Sequence, residues 1–181
     1  MSTRFATLVV SIAAICIGIC GVSQASAAGL VAPRGTCPET RRGAAAEEAT
    51  MLCLTNYARV QAGEGPLEPA AALEDSASDK AEDILRCDTF SHFACGREFT
   101  YWIQASGYMS TECWHVGENL AWGTGEYGSV TSIFRAWLRS TEHRENLLDA
   151  AFTQVGIDRR VGSLEGEHGA HVWAQQFGSH C

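Results

Sequence analysis

The side chains in this sequence that could bind a metal or move protons are a few histidines and carboxylates. His92 stands in Phe90-Ser91-His92-Phe93, Glu118 in Gly117-Glu118-Asn119-Leu120, and His143 in Ser140-Thr141-Glu142-His143-Arg144-Glu145-Asn146. Two neutral imidazoles and one carboxylate are a donor set suited to a divalent ion such as zinc, with waters completing the shell. With three protein ligands at most and no thiolate, such a site binds weakly and keeps an open position where a metal-activated water could form. Without a metal, a His and Glu pair could serve as acid and base. Each residue also has a purely structural reading. His92 could end a helix beside a disulfide loop with its ring satisfied by backbone, and Glu118 could hold a loop by accepting backbone N–H groups.

Other sites are weaker or absent. His168 and His171 share i, i+3 spacing, but Gly166 and Gly169 surround them in an expected hairpin turn, which reads as a solvated loop. His115 lies three residues before Glu118, so an alternating strand would turn it to the opposite face. His180 is terminal. The sequence contains no G-x-S-x-G elbow, H-E-x-x-H helix, P-loop or dinucleotide fingerprint, so no nucleotide cofactor is expected.

The start of the chain bears on the cysteines. Met1-Ser2-Thr3-Arg4 precedes an apolar run from Phe5 to Val22, and Ala25 and Ala27 form an A-x-A site, the pattern of a signal peptide cleaved after Ala27. Cys16 and Cys20 would leave with it. The remaining Cys37, Cys53, Cys87, Cys95, Cys113 and Cys181 are even in number, which in an exported chain reads as three disulfides and excludes a thiol nucleophile. Six cysteines allow 15 pairings and spacing does not choose among them; the pairing adopted as an expectation is Cys37 with Cys53, Cys87 with Cys95, and Cys113 with Cys181. Export to an extracellular or periplasmic space is expected, with no transmembrane anchor after cleavage.

Arg4 is the one charged side chain in residues 1–27, so its removal moves the formal charge from −8 to about −9. Such an acidic chain is a poor partner for nucleic acid or anionic membrane surfaces. The rest is one domain's worth of sequence, long enough to bury roughly 70% of the surface its unfolded chain exposes. A monomer is expected.

These residues need elements to hold them. Residues 28–43 lack apolar periodicity and read as a flexible leader, with the domain running over 44–181. Residues 44 to about 61 suit a helix stopped by Ala62-Gly63-Glu64-Gly65-Pro66. Pro69 suits the first turn of a second helix, whose Leu73, Ala77, Ala81 and Ile84 follow helical spacing. Val130, Ile133, Phe134, Trp137 and Leu138 mark the clearest amphipathic helix, with Ser129 as its cap. Strands are expected over 115–122, 153–160 and 171–177, the last two joined by a Gly-rich turn at 162–169. Helices first and strands last predict an α+β fold with an antiparallel sheet. Trp122, Trp137 and Trp173 read as core, and Asn56, Arg59, Asn119 and Asn146 as buried groups tying helices to loops.

The ordered set of Thr55-Asn56-Tyr57-Ala58-Arg59, the motifs around His92, Gly107-Tyr108, Gly117-Glu118-Asn119-Leu120-Ala121-Trp122, the segment from Trp137 to Leu148, Val155-Gly156-Ile157 and Trp173-x-Gln175-x-Phe177-Gly178 resembles the CAP superfamily. This is the group of cysteine-rich secretory, antigen 5 and pathogenesis-related 1 proteins (SCP domain), here in its bacterial extracellular branch. The resemblance covers roughly residues 48–179. It implies a three-layer α-β-α sandwich with a central antiparallel sheet and a surface cavity lined by two histidines, matched by His92 and His143, and by acids, of which Glu118 matches the first. The second acid of plant and animal members follows their W-Y motif by one residue; Trp137-Leu138-Arg139 leads here to Ser140, and whether Glu142 replaces that acid stays open. The resemblance implies a secreted protein whose cavity presents His92, Glu118 and His143, with Glu142 and Ser140 nearby, to a divalent metal or small ligand without established turnover. A protease-like hydrolase using the same cluster, a lipid or sterol-binding module, and a scaffold acting through protein contacts are the alternatives.

Overall fold

A computed structural model describes residues 29–38, 43–110 and 112–181; the expected signal peptide lies outside them. The first helix, α1, runs over Ala44–Ala62 and ends on Gly63, whose φ of 90° supplies the left-handed turn that Gly adopts without strain. A two-residue strand, β1 (Glu68–Pro69), leads into α2 (Ala71–Arg86). Pro69 therefore sits on a strand and not in the helix's first turn. Glu68 and Ala70 donate their N–H groups to the Thr153 and Val155 carbonyls, and Pro69, which has no N–H to give, is tolerated at this edge. Then follow the short α3 (Tyr101–Ala105), β2 (Trp114–Thr124), α4 (Val130–Arg139), α5 (Thr141–Leu148), β3 (Gln154–Leu164) and β4 (Glu167–His180).

The sheet order is β1-β3-β4-β2. Its three long strands are antiparallel, as expected, while β1 joins β3 in parallel. The β3–β4 turn is narrower than the sequence suggested. Glu165 and Gly166, both at positive φ, close it in two residues, and His168 and His171 lie on β4 on either side of a bulge at Gly169, whose φ is positive.

Alternation along β4 builds the three layers. Trp173 and Phe177 face a core shared with Met51 and Leu54 of α1, Phe134 and Trp137 of α4, and Leu147 of α5. Val172 and Ala174 face the other way, towards Ala77, Ala81 and Ile84 of α2. The Leu73 end of α2 meets Ile103 and Tyr108. Gly156 is where α2 and β3 come closest: an added Cβ would lie 2.0 Å from the Leu73 carbonyl carbon.

Three disulfides pair Cys37 with Cys53, Cys87 with Cys95, and Cys113 with Cys181, as expected. The first pins a segment read as flexible leader. Leu30 in that segment is 1% exposed and belongs to the α1/α4 core, so the packed unit begins before residue 44 and residues 29–38 are not a loose tail.

Candidate functional site

Strand β2 lies at the edge of the sheet, and the two helical layers meet around it. One layer contributes the loop after α2, closed by Cys87–Cys95, which carries His92. The other contributes α5, which carries Glu142 and His143. Between them is a cavity of about 610 Å³ with Val116, Gly117 and Glu118 of β2 as its floor. His92, Phe93 and Phe99 form one wall, and Glu142, His143 and Asn146 the other. Gly117 is required at the floor, because a Cβ there would come within 2.8 Å of the Phe152 ring.

His92, Glu118, Glu142 and His143 thus meet in one cavity, whereas Ser140 does not line it. Glu118 is buried and fully engaged. Its Oε1 accepts from His92 Nδ1 at 2.5 Å, its Oε2 accepts from Gln176 Nε2 at 2.6 Å, and Lys80 Nζ stands 3.8 Å from Oε1. Lys80 also donates to the His92 carbonyl at 2.5 Å, tying the loop to α2. At 1% exposure, Lys80 has its ammonium pushed to lower pKa by desolvation, against the opposing pull of Glu118 and Asp83.

His143 is anchored differently. Its Nδ1 lies 2.7 Å from Ser140 Oγ, and that hydroxyl donates to Glu142 Oε2 at 3.0 Å. A hydroxyl has one proton, so it must accept from His143 Nδ1–H. Ser140 occupies the N-cap of α5 but makes no cap bond to the backbone, its hydroxyl being spent on this relay. Desolvation and the nearby His92 lower the His143 pKa, outweighing Glu142 and the Leu120 carbonyl, which raise it. The Glu142 carboxyl is held below its ordinary range by backbone hydrogen bonding within its own residue and by the Ser140 hydroxyl.

Both imidazoles therefore have Nδ1 held as a donor, by Glu118 for His92 and by Ser140 for His143, and the His143 ring is also held by the Leu120 carbonyl. This is the outer-shell arrangement that orients histidine ligands in metal sites. Glu118 is the orienting acid and not a free ligand. Among the described residues no group of three or more His, Cys, Asp or Glu is arranged around one point. The imidazole donors in the cavity are two, and no third ligand completes a closed metal site among the described residues.

The remaining histidines lie apart. His115 faces away from Glu118, stacks on Phe152 at 4.6 Å and contacts Asp149 at 3.3 Å. His168 contacts Ser163 and His171 contacts Arg159. Asn119 and Asn146 act as struts: Asn119 donates to the His143 carbonyl, and Asn146 donates to the Glu118 carbonyl and to Asn119 Oδ1. Arg59 donates to the carbonyls of Gly65, Leu147, Asp149 and Phe152, holding the end of α5. The indoles of Trp137 and Trp173 are buried and donate to the Leu120 and Gly128 carbonyls. Sequence reasoning missed Lys80 and Gln176. Lys80 had a signal, since residues 77, 80, 81 and 84 share one face of a helix.

Residues 52–177 match the model of the cysteine-rich secretory protein family, CAP. The uncharacterized protein YkwD of Bacillus subtilis (strain 168) is 30% identical over 132 residues, which are 73% of this chain and 47% of that protein. The chain thus spans about half the length of this curated relative. Among solved structures, an extracellular SCP-domain protein from Bacillus anthracis str. Ames is similar over 74% of this chain and 40% of its own, with TM-score 0.60 and 21% identity. An outer surface protein from Borrelia burgdorferi is similar over 72% of this chain and 90% of its own, with TM-score 0.59 and 20% identity. Family match and fold agree, and the chain belongs to the cysteine-rich secretory protein (CAP) family.

Proposed function

We propose that this is an exported ligand-binding protein whose His92–His143 cavity takes a divalent cation, with zinc the best chemical match, rather than a turnover enzyme. The observation that carries this reading is the matched anchoring of the two imidazoles in one cavity, each with Nδ1 held by an acceptor. A bound zinc would supply a Lewis-acid centre and an open coordination position. Glu118 orients His92, and the Ser140–Glu142 pair orients His143 in place of the acid that Ser140 displaces. The extracellular SCP-domain protein and the outer surface protein among the structural relatives support export. No described helix is long and apolar enough to cross a membrane.

Calorimetric titration of zinc into the purified protein tests the reading. Heat is expected with the wild type and none with the His92→Ala, His143→Ala double variant; equal heats for both overturn it. Binding should fade as pH falls below about 6, because protons compete for the ligating nitrogens.

A further inference from the structure

The cavity floor is the free edge of a sheet. In an antiparallel strand, alternate residues direct both backbone groups to one neighbour and the intervening residues direct theirs to the opposite side. In β2 the even-numbered residues point outward. The Glu118 carbonyl accepts from the Asn146 side chain at 3.2 Å and the Leu120 carbonyl from the Trp137 indole at 3.1 Å, both outside the ladder. Gly178, paired with Val116, turns its carbonyl to Thr153 on the β3 side at 3.1 Å. The N–H and C=O of Val116 and the N–H of Glu118 therefore face away from β4, at the floor of the cavity, and have no hydrogen-bond partner among the described residues.

We infer that the cavity receives an extended peptide, which adds beside β2 through two backbone hydrogen bonds at Val116 and one at the Glu118 N–H. This rests on the cavity being the ligand site, as proposed above, but draws on its backbone and not on its imidazoles. Strand addition of this kind gives affinity through main-chain bonds and selectivity through pockets for alternate side chains. Two features set the peptide's chemistry. Phe93, 56% exposed, and Phe99 give one wall an apolar surface for an aliphatic or aromatic side chain. On the other wall, Glu142 forms no ion pair with Lys or Arg among the described residues, whereas Glu118 is balanced by Lys80. The net negative lining selects a peptide with a basic residue next to its apolar one and rejects an acidic one. Asn146, already bonded to the Glu118 carbonyl, and Trp137, bonded to that of Leu120, limit the open edge to a short stretch.

The test uses capped octapeptides carrying Leu or Phe at the centre followed by Lys or Arg, with amide hydrogen exchange of the full protein followed by NMR. The best binder should slow exchange at Val116 and Glu118 by about tenfold or more, leaving Gly117 and Asn119, already bonded to β4, unchanged. N-methylation of that peptide should abolish binding at alternate positions only. Val116→Pro removes the outward N–H at an edge position that tolerates Pro; it should lose the peptide while near-ultraviolet circular dichroism shows the protein still folded. Exchange at Val116 and Glu118 unchanged with every peptide, or peptide binding retained by Val116→Pro, overturns the inference. Since zinc binding is read on the imidazoles and peptide binding on β2, failure of one is distinct from failure of the other.

Discussion

Lys80 shows how a single side chain sets the state of the site. Its ammonium and the Glu118 carboxylate are both buried, at 2% and 1% side-chain exposure, and removing one partner of such a pair leaves an uncompensated charge. Lys80→Met should cost about 3–5 kcal/mol of stability and release the loop carrying His92, read by urea denaturation and by faster amide exchange at residues 91–94. A smaller loss than from a surface lysine change would contradict the pairing. His92, Glu118 and His143 were legible in the sequence because they sit in short family motifs. The roles of Ser140 and Gln176 were not, because each depends on a contact with a distant or differently oriented partner: Gln176 reaches Glu118 only through the β2–β4 register, and Ser140 acts through its rotamer.

Helices and strands place these residues, and here periodicity was a good guide where burial was one-sided. The stripe of Leu73, Ala77, Ala81 and Ile84 and the run from Val130 to Leu138 were readable because one face of each helix is apolar and buried. The short α5 buries only Leu147, and α3 spans five residues, so neither carries enough pattern to be read. The contact of α2 with β3 depends on Gly156. Gly156→Ala should destabilise by about 2–3 kcal/mol or more, since the clash is with helix backbone that cannot rotate away; a thermal melt within a degree of wild type would contradict this. At the seam between α1 and β3, burial and then Asp158 push the Glu48 carboxyl to higher pKa, against Arg159 and Arg160. A raised value means that the folded chain holds its proton longer than the unfolded one, so stability falls as pH rises through that window. Glu48→Gln keeps an oxygen for the Arg159 N–H. It should be more stable than wild type at neutral pH by up to about 1 kcal/mol, and the difference should vanish below the ordinary carboxyl value. A difference that persists at low pH would contradict the assignment.

For the whole molecule, the disulfides fasten the margins of a core that packing already provides. Cys37–Cys53 holds the segment containing Leu30, Cys87–Cys95 closes the His92 loop, and Cys113–Cys181 joins the start of β2 to the end of β4 across 68 residues. Replacing Cys113 and Cys181 with Ser should cost about 4 kcal/mol on the loop-entropy account while leaving a folded protein, checked by denaturant unfolding with retained near-ultraviolet circular dichroism. A chain that fails to fold would show that the core depends on this link. The central claim is that His92 and His143, held as Nδ1–H tautomers, bind one ion together. Long-range imidazole nitrogen–proton NMR during zinc titration tests it most directly. The account predicts the Nδ1–H tautomer at both residues and simultaneous Nε2 shifts that saturate at one equivalent; zinc that moves His168 or His180 and leaves His92 and His143 unshifted would contradict it.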